Sequence, residues 1–153
     1  MLVNDMETLM RTDTTALANR LRPALLKLGR ALRREVHSLG VTGGQVSLLN
    51  EIRKQPGMGV RELAGRERMS PAAMSGYVDR LERAGLVQRT PHPVDRRRHG
   101  LSLTQPGERV LRSVRSRRTA WLAARLQRLS PAEVAAIEAA VEPLARLLEE
   151  DES

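Results

Sequence analysis

Between residues 86 and 104 the chain reads as two short strand candidates, about 86–90 and 100–104. They are joined by the polar tip Pro91-His92-Pro93-Val94-Asp95-Arg96-Arg97-Arg98-His99. The second candidate alternates Leu101, Ser102, Leu103 and Thr104, the period of a half-buried strand. A tip with three consecutive arginines cannot be core. The flanking apolar residues recur at three- and four-residue steps, so one small hairpin has to be fitted into a mainly helical chain.

The helical stretches carry their own punctuation. Leu17, Leu21, Leu25, Leu28, Leu32 and Val36 predict an amphipathic helix from about 14 to 39, with Pro23 as a kink or a later start and Gly40 as the stop. Thr42 and Gln45 have the spacing of a capping box, opening a helix through Val46, Leu49 and Ile52 that ends at Pro56-Gly57. A short helix follows over about 60–67 with Leu63 and Ala64. Ser70 then caps another, with Pro71 at the first position, where its missing N–H costs nothing. Met74, Tyr77, Val78 and Leu81 are its expected inner face, Gly85 its end, and Leu86 is placed to pack back on Leu81. After the hairpin, Thr104-Gln105-Pro106-Gly107-Glu108 opens a long helix through Leu111, Val114, Trp121, Leu122, Leu126 and Leu129. Ser130-Pro131-Ala132-Glu133 is a second capping box, before a last helix with Val134, Ile137, Val141, Leu144 and Leu148.

At 153 residues the chain suits one domain better than two. There are no cysteines, which excludes disulfides, thiolate metal sites and cysteine redox sensing. No apolar run is long enough for a bilayer and the N-terminus lacks the pattern of a signal peptide, so a soluble cytoplasmic protein with no membrane partner is expected. The net charge is +8, and its distribution says more than its size. Residues 61–118 hold fourteen Lys/Arg against six Asp/Glu, whereas residues 119–153 hold three against seven. A basic middle favours a polyanion there through counterion release. Arginine outnumbers lysine 24 to 2, a bias that suggests a GC-rich genome, so the position of an arginine carries more weight than its identity.

A short helix, a tight turn and a capped second helix form a helix-turn-helix, whose second helix can enter the major groove. Such pairs are common in helical proteins. The strand, basic tip and strand that follow make this one informative, because the tip can reach an adjacent minor groove or the backbone.

At these residues the chain resembles the multiple antibiotic resistance regulator (MarR) family. The matching stretches are Glu62-Leu63-Ala64, Met69-Ser70, Val78-Asp79-Arg80-Leu81-Glu82, Gly85-Leu86-Val87-Gln88-Arg89 and Asp95-Arg96-Arg97 with Leu101-Ser102-Leu103-Thr104 and Gly107. The last is the D-x-R…L-x-L-T-x-x-G wing signature, and the resemblance covers roughly residues 15–148. It implies a mainly α fold with a small β-wing: a winged helix-turn-helix with an intertwined helical dimerisation domain. Within a single domain, 1–153, residues 14–40 and 105–150 would supply the dimerisation helices and 42–104 the DNA-binding lobe. Leu17, Leu21, Val141, Leu144 and Leu148 would lie in the homodimer interface.

The resemblance further implies that the helix about 70–84 lies in the major groove of a palindromic operator. Pro71, Ala72, Ser75 and Gly76 would face the bases, with Arg80 nearer phosphate and Ser70 also in the DNA-binding site. Asp95 would orient a wing arginine, Arg96 or Arg97 would probe the minor groove, and Arg96 and Arg98 are equally well read as phosphate-steering charges. Gly76 departs from the Arg or Lys frequent there, and Glu67 and Arg68 stand where members often have an apolar residue and glycine. The function implied is that of a sequence-specific regulator of transcription, most simply a repressor. In many members small aromatic or phenolic ligands tune DNA affinity.

For such an effector the sequence offers His37 and Trp121, each of which reads first as structure: a partly buried histidine and a core-spaced tryptophan. His92, Asp95 and His99 could be drawn as a metal cluster or a small enzyme's site, but neighbouring arginines repel a cation. No nucleophile–base pair, phosphate loop or carboxylate pair stands out, so neither catalysis, nor a metal, nor a cofactor is expected. A winged helix that binds DNA without sequence preference, or binds protein, is the alternative that Ala72 and Gly76 keep open.

Overall fold

The structure is a computed structural model that describes residues 2–91, 94–95 and 97–149. Among these, the order is α1 (Leu2–Arg34), a 3-10 turn (His37–Leu39), α2 (Gly43–Lys54), α3 (Val60–Arg66), α4 (Pro71–Arg83), β1 (Val87–Pro91), β2 (His99–Leu103), α5 (Gln105–Leu126) and α6 (Pro131–Arg146). The fold is mainly α with a two-stranded wing.

Four helices start where their side chains dictate. Thr42 accepts from the Gln45 N–H at 3.1 Å while the Gln45 side chain accepts from the Thr42 N–H at 2.9 Å. Ser130 and Glu133 repeat the exchange at 3.2 and 3.1 Å. Ser70 accepts from the Ala73 N–H at 3.2 Å, and Thr104 from that of Gly107 at 3.1 Å. Each bond satisfies a donor that a helix start would otherwise leave unpaired.

The first helix departs from the 14–39 expected. It starts at Leu2, contains Pro23 without ending there, and stops at Arg34. Apolar spacing marks only where a helix has a greasy face, and residues 2–13 hold no glycine or proline to stop it. At its end the chain tightens into the 3-10 turn, which buries Val36 completely and closes on Gly40 at φ +78°. The strands lie one residue off their expected places. Leu86 is taken up by the cap of α4, its N–H donating to the Leu81 carbonyl at 3.0 Å, and Thr104 is taken up by the cap of α5.

The core lies in one lobe. Leu49 and Ile52 of α2, Leu63 of α3, Met74, Val78 and Leu81 of α4 and Leu101 of β2 are fully enclosed, and Leu111 and Val114 of α5 close the far side. Tyr77, expected inside, is 43% exposed at the flank of the α4 inner face, with the Arg80 guanidinium 5.4 Å from its ring centre. Several leucines of α1 expected to pack are largely uncovered by the described residues: Leu17 is 59% exposed, and Leu25 and Leu28 nearly half, while Leu32 is half-buried beside α5. No residue of α6 is buried, with Val141 at 60% and Leu148 at 67%. Leu21 and Leu144 are half-buried.

β1 and β2 pair antiparallel from Val87 opposite Leu103 to Pro91 opposite His99. A third segment joins them that no alternation announced. Leu101 donates to the Met58 carbonyl and accepts from the Gly57 N–H, both at 2.9 Å, which ties the wing to the α2–α3 turn. Gly100 permits this approach, since a Cβ there would lie 2.7 Å from Gly57 Cα.

Candidate nucleic-acid interface

The turn between α3 and α4 is built by backbone bonds. Met69 donates to the Ala64 carbonyl at 2.9 Å, and Arg68 adopts φ +52°, the left-handed conformation that glycine takes most cheaply. The turn sets α4 across α3 with Ser70, Pro71 and Ala72 exposed at its N-terminal end. Ser75 and Gly76 follow half-exposed on the helix, and Arg80 is exposed a turn later. A Cβ added to Gly76 would meet nothing within 4 Å, so no neighbour within the chain requires glycine there.

The wing tip is shaped by Asp95. Its carboxylate accepts from the Arg97 N–H at 3.1 Å and lies 4.0 Å from Arg98 Nε, while its carbonyl accepts from the Arg98 N–H at 3.0 Å. Asp95 thus orients the backbone at Arg97 and the side chain of Arg98. The Arg97 and Arg98 side chains stand in solvent. Arg96, expected in the same site, and His92, drawn into the alternative metal cluster, lie outside the described residues. Among the described residues no three His, Cys, Asp or Glu groups come together as a cation site.

Two connections make the helix and the wing one surface. Arg89 of β1 reaches α4, with Nη2 2.5 Å from Asp79 Oδ1 and Nε 3.3 Å from Glu82 Oε2. Nothing in the sequence marks Arg89 for this role except its place in a matching stretch. At the wing's other end the Thr104 hydroxyl donates to the Gly85 carbonyl at 2.6 Å, and the Thr104 N–H donates to the Leu86 carbonyl at 3.1 Å. Gly107 backs directly onto that Leu86 carbonyl, leaving no room for a Cβ. The threonine and glycine of the wing signature are therefore a knot that joins the end of α4 to the start of α5.

A cleft of about 630 Å³ opens at the wing root between Gly57, Gly59, Arg61, Arg97, Arg98 and His99. Arg61, on the exposed side of α3's first turn, adds a cation that the sequence reading missed because nothing in its local pattern marked it. The two effector candidates fare differently. His37 is exposed rather than partly buried, because the 3-10 turn points Val36 inward instead. Trp121 is half-buried but outside the core; it lines an open groove of about 950 Å³, with Arg125 stacked 3.7 Å from its ring centre. A smaller cleft, about 320 Å³, lies between α1, α2 and α5 beside Arg118, whose Nε donates to the Leu32 carbonyl at 3.2 Å.

Among the described residues no helix is long and apolar enough to cross a membrane. The MarR family profile matches residues 41–99, the stretch from the start of α2 to the start of β2. An uncharacterized HTH-type transcriptional regulator of Mycobacterium bovis is 33% identical over 141 residues, covering 92% of this chain and 99% of its own. The HTH-type transcriptional repressor MdtR of Bacillus subtilis is 31% identical over 137 residues, covering 90% of this chain and 84% of its own. The crystal structure of the transcriptional regulator Tm0710 of Thermotoga maritima superposes with a TM-score of 0.74 at 26% identity, over 90% of this chain and 96% of that one.

Proposed function

The chain belongs to the MarR family of DNA-binding transcriptional regulators, and we propose that a homodimer of it represses a promoter by gripping a palindromic operator. The observation that carries this reading is the joined surface of α4 and the wing. The exposed N-terminal end of α4 and the Arg97–Arg98 tip are held in one frame by Arg89 and by the Thr104–Gly107 knot. In it α4 enters the major groove, Ser70, Pro71, Ala72, Ser75 and Gly76 approach base edges, and Arg80 meets phosphate. Arg97 follows the adjacent minor groove, and Arg98 and Arg61 add phosphate contacts.

Dimerisation is supported by the exposed leucines of α1 and the wholly unburied α6, which a second copy would cover. Leu17, Leu21, Val141, Leu144 and Leu148 belong to that seam, and residues 14–40 and 105–150 to the dimer arm. A small ligand lodged between the arm and the lobe changes the spacing of the two α4 helices and so releases DNA, to the extent that it binds one spacing better than the other. Operator binding puts the site of action in the bacterial cytoplasm.

Selection of bound fragments from the native genome tests the reading. The expected result is an imperfect palindrome with half-sites about one turn, roughly 34 Å, apart. Equal affinity for random and selected DNA at moderate salt would instead support an architectural winged helix, a reading favoured by the small side chains at Ala72 and Gly76.

A further inference from the structure

Arg118 of α5 is bonded to the end of α1 at the joint between arm and lobe. The last helical bond of α1 runs from the Glu35 N–H to the Ala31 carbonyl at 3.2 Å. The Leu32 carbonyl is then left over, as the final carbonyls of a helix are. Arg118 reaches it from 86 positions away, its Nε donating at 3.2 Å. A guanidinium there gains from the aligned carbonyl dipoles as well as from the bond. Both residues are half-buried and line the 320 Å³ cleft whose α2 side is Asn50 and Arg53. The two helices are held to the lobe differently. Leu111 and Val114 of α5 are sealed in the lobe core, and Arg118 follows Val114 one turn later on the same face. α1 enters the lobe through a turn, in which Val36 is fully buried and Gly40 sits at φ +78°. That turn holds α1 at one point, and the Arg118 bond is a second.

We propose that Arg118 is a positioning residue that sets the angle between α1 and the lobe, and so the spacing at which two copies present α4 to DNA. The proposal rests on the dimer and the palindrome of the reading above. Two points of attachment fix a direction, whereas one leaves a pivot at a few turn residues. The magnitude decides what such a pivot would cost. Half-sites roughly 34 Å apart put each α4 about 17 Å from the two-fold axis. A swing of about 10° over that lever moves α4 by about 3 Å, close to the rise of one base pair, roughly 3.4 Å. A joint that gives by this much no longer tells one half-site spacing from the next. Arg118 thereby acts on which operators are accepted, through α1 and without a DNA contact of its own.

The test compares the intact protein on its selected palindrome with the same half-sites moved together or apart by one base pair. The parent is expected to prefer its own spacing by about tenfold or more. Arg118→Met keeps the apolar stem and removes the donor. It should narrow that preference to about threefold or less, while affinity for a duplex bearing a single half-site stays within about twofold of the parent. Arg118→Gln places a neutral N–H where Nε stands and should keep most of the preference, which the loss of a phosphate-steering charge would not allow. Arg118→Ala replaces the methionine variant if that one does not fold as a dimer. A second readout needs no DNA. The chain has no cysteine, so a spin label on Ala84→Cys, exposed at the end of α4, reports the distance between the two α4 helices of the dimer. Its distribution should be broader with Arg118→Met than in the parent or with Arg118→Gln. A preference as sharp in Arg118→Met as in the parent, a distance no broader, or a loss equal at every spacing and at the single half-site overturns the inference and leaves the operator reading standing. So does an Arg118→Gln that behaves like Arg118→Met, since the charge and not the bond would then be at work. A parent that binds all three spacings alike removes the palindrome, and this inference falls with it.

Discussion

Two single residues carry backbone costs that point in opposite directions. Arg68 holds φ +52° in the helix-turn-helix turn, where a side chain crowds the following carbonyl and glycine does not. Arg68→Gly should raise the unfolding free energy by roughly 1 kcal/mol, the left-handed penalty less the extra freedom glycine brings to the unfolded chain. A urea titration reads it directly, and a midpoint that stays or falls would mean that the arginine side chain returns what its backbone loses. Gly76 is the converse. It weakens α4 by about 0.5–1 kcal/mol relative to alanine, yet no atom of the chain needs the space. On the proposed docking Gly76→Ala should therefore stabilise the protein by about that amount while weakening operator binding, because the added methyl would stand between α4 and the base edges. Gain in both would remove Gly76 from the interface. That Arg68 and Gly76 depart from the family's usual residues was legible in the sequence. The left-handed turn and the empty space were not, since both are properties of backbone paths set by packing.

At the scale of elements, the helix starts were the most legible part of the fold because each is decided by a hydrogen bond three residues long. Thr42–Gln45, Ser70–Ala73 and Ser130–Glu133 need no tertiary context. The Met58–Leu101 bridge joins residues far apart in sequence, the Arg89 clamp joins two different elements, and neither carries a periodic signal. The clamp's role is decided by magnitude. Partly exposed ion pairs such as those of Arg89 contribute at most about 1 kcal/mol to folding. On the proposed docking its larger effect would be to offset one of the two negative charges of Asp79 and Glu82 at the DNA-facing side, and to hold the wing against α4. Arg89→Ala should thus change stability by less than about 1 kcal/mol while operator affinity falls by more than that, with a steeper drop at low salt. Equal losses in both measurements would reduce Arg89 to a structural residue. Arg97→Ala, by contrast, should leave stability alone and weaken specific binding by roughly 1–3 kcal/mol, the range of a good groove contact. An unchanged operator affinity would take Arg97 out of the interface.

The whole molecule divides into a lobe with a closed core and an arm without one. Apolar spacing in α1 and α6 was legible, but spacing states only that a face seeks cover, and it could not say that the described residues leave much of that face uncovered. The exposed Leu17, Val141 and Leu148, with half-buried Leu21 and Leu144, make one chain an incomplete object. The Thr104–Gly107 knot matters at this scale, because it ties the start of α5 to the end of α4 and would, on the proposed function, pass a change in the arm on to α4. Introducing a charge at Leu144 or Leu148 should then act at a distance. Burying an unpaired charge in an apolar seam costs several kcal/mol, enough to dissociate the dimer at micromolar concentrations. Leu144→Asp or Leu148→Asp should sediment as a folded monomer whose lobe keeps its helical signal. It should lose tight palindrome binding, because each half-site alone retains only part of the affinity that two linked lobes share. A monomer that still binds the full palindrome as tightly as the parent would mean that one lobe and its wing suffice, and the two-fold arrangement would have to be abandoned.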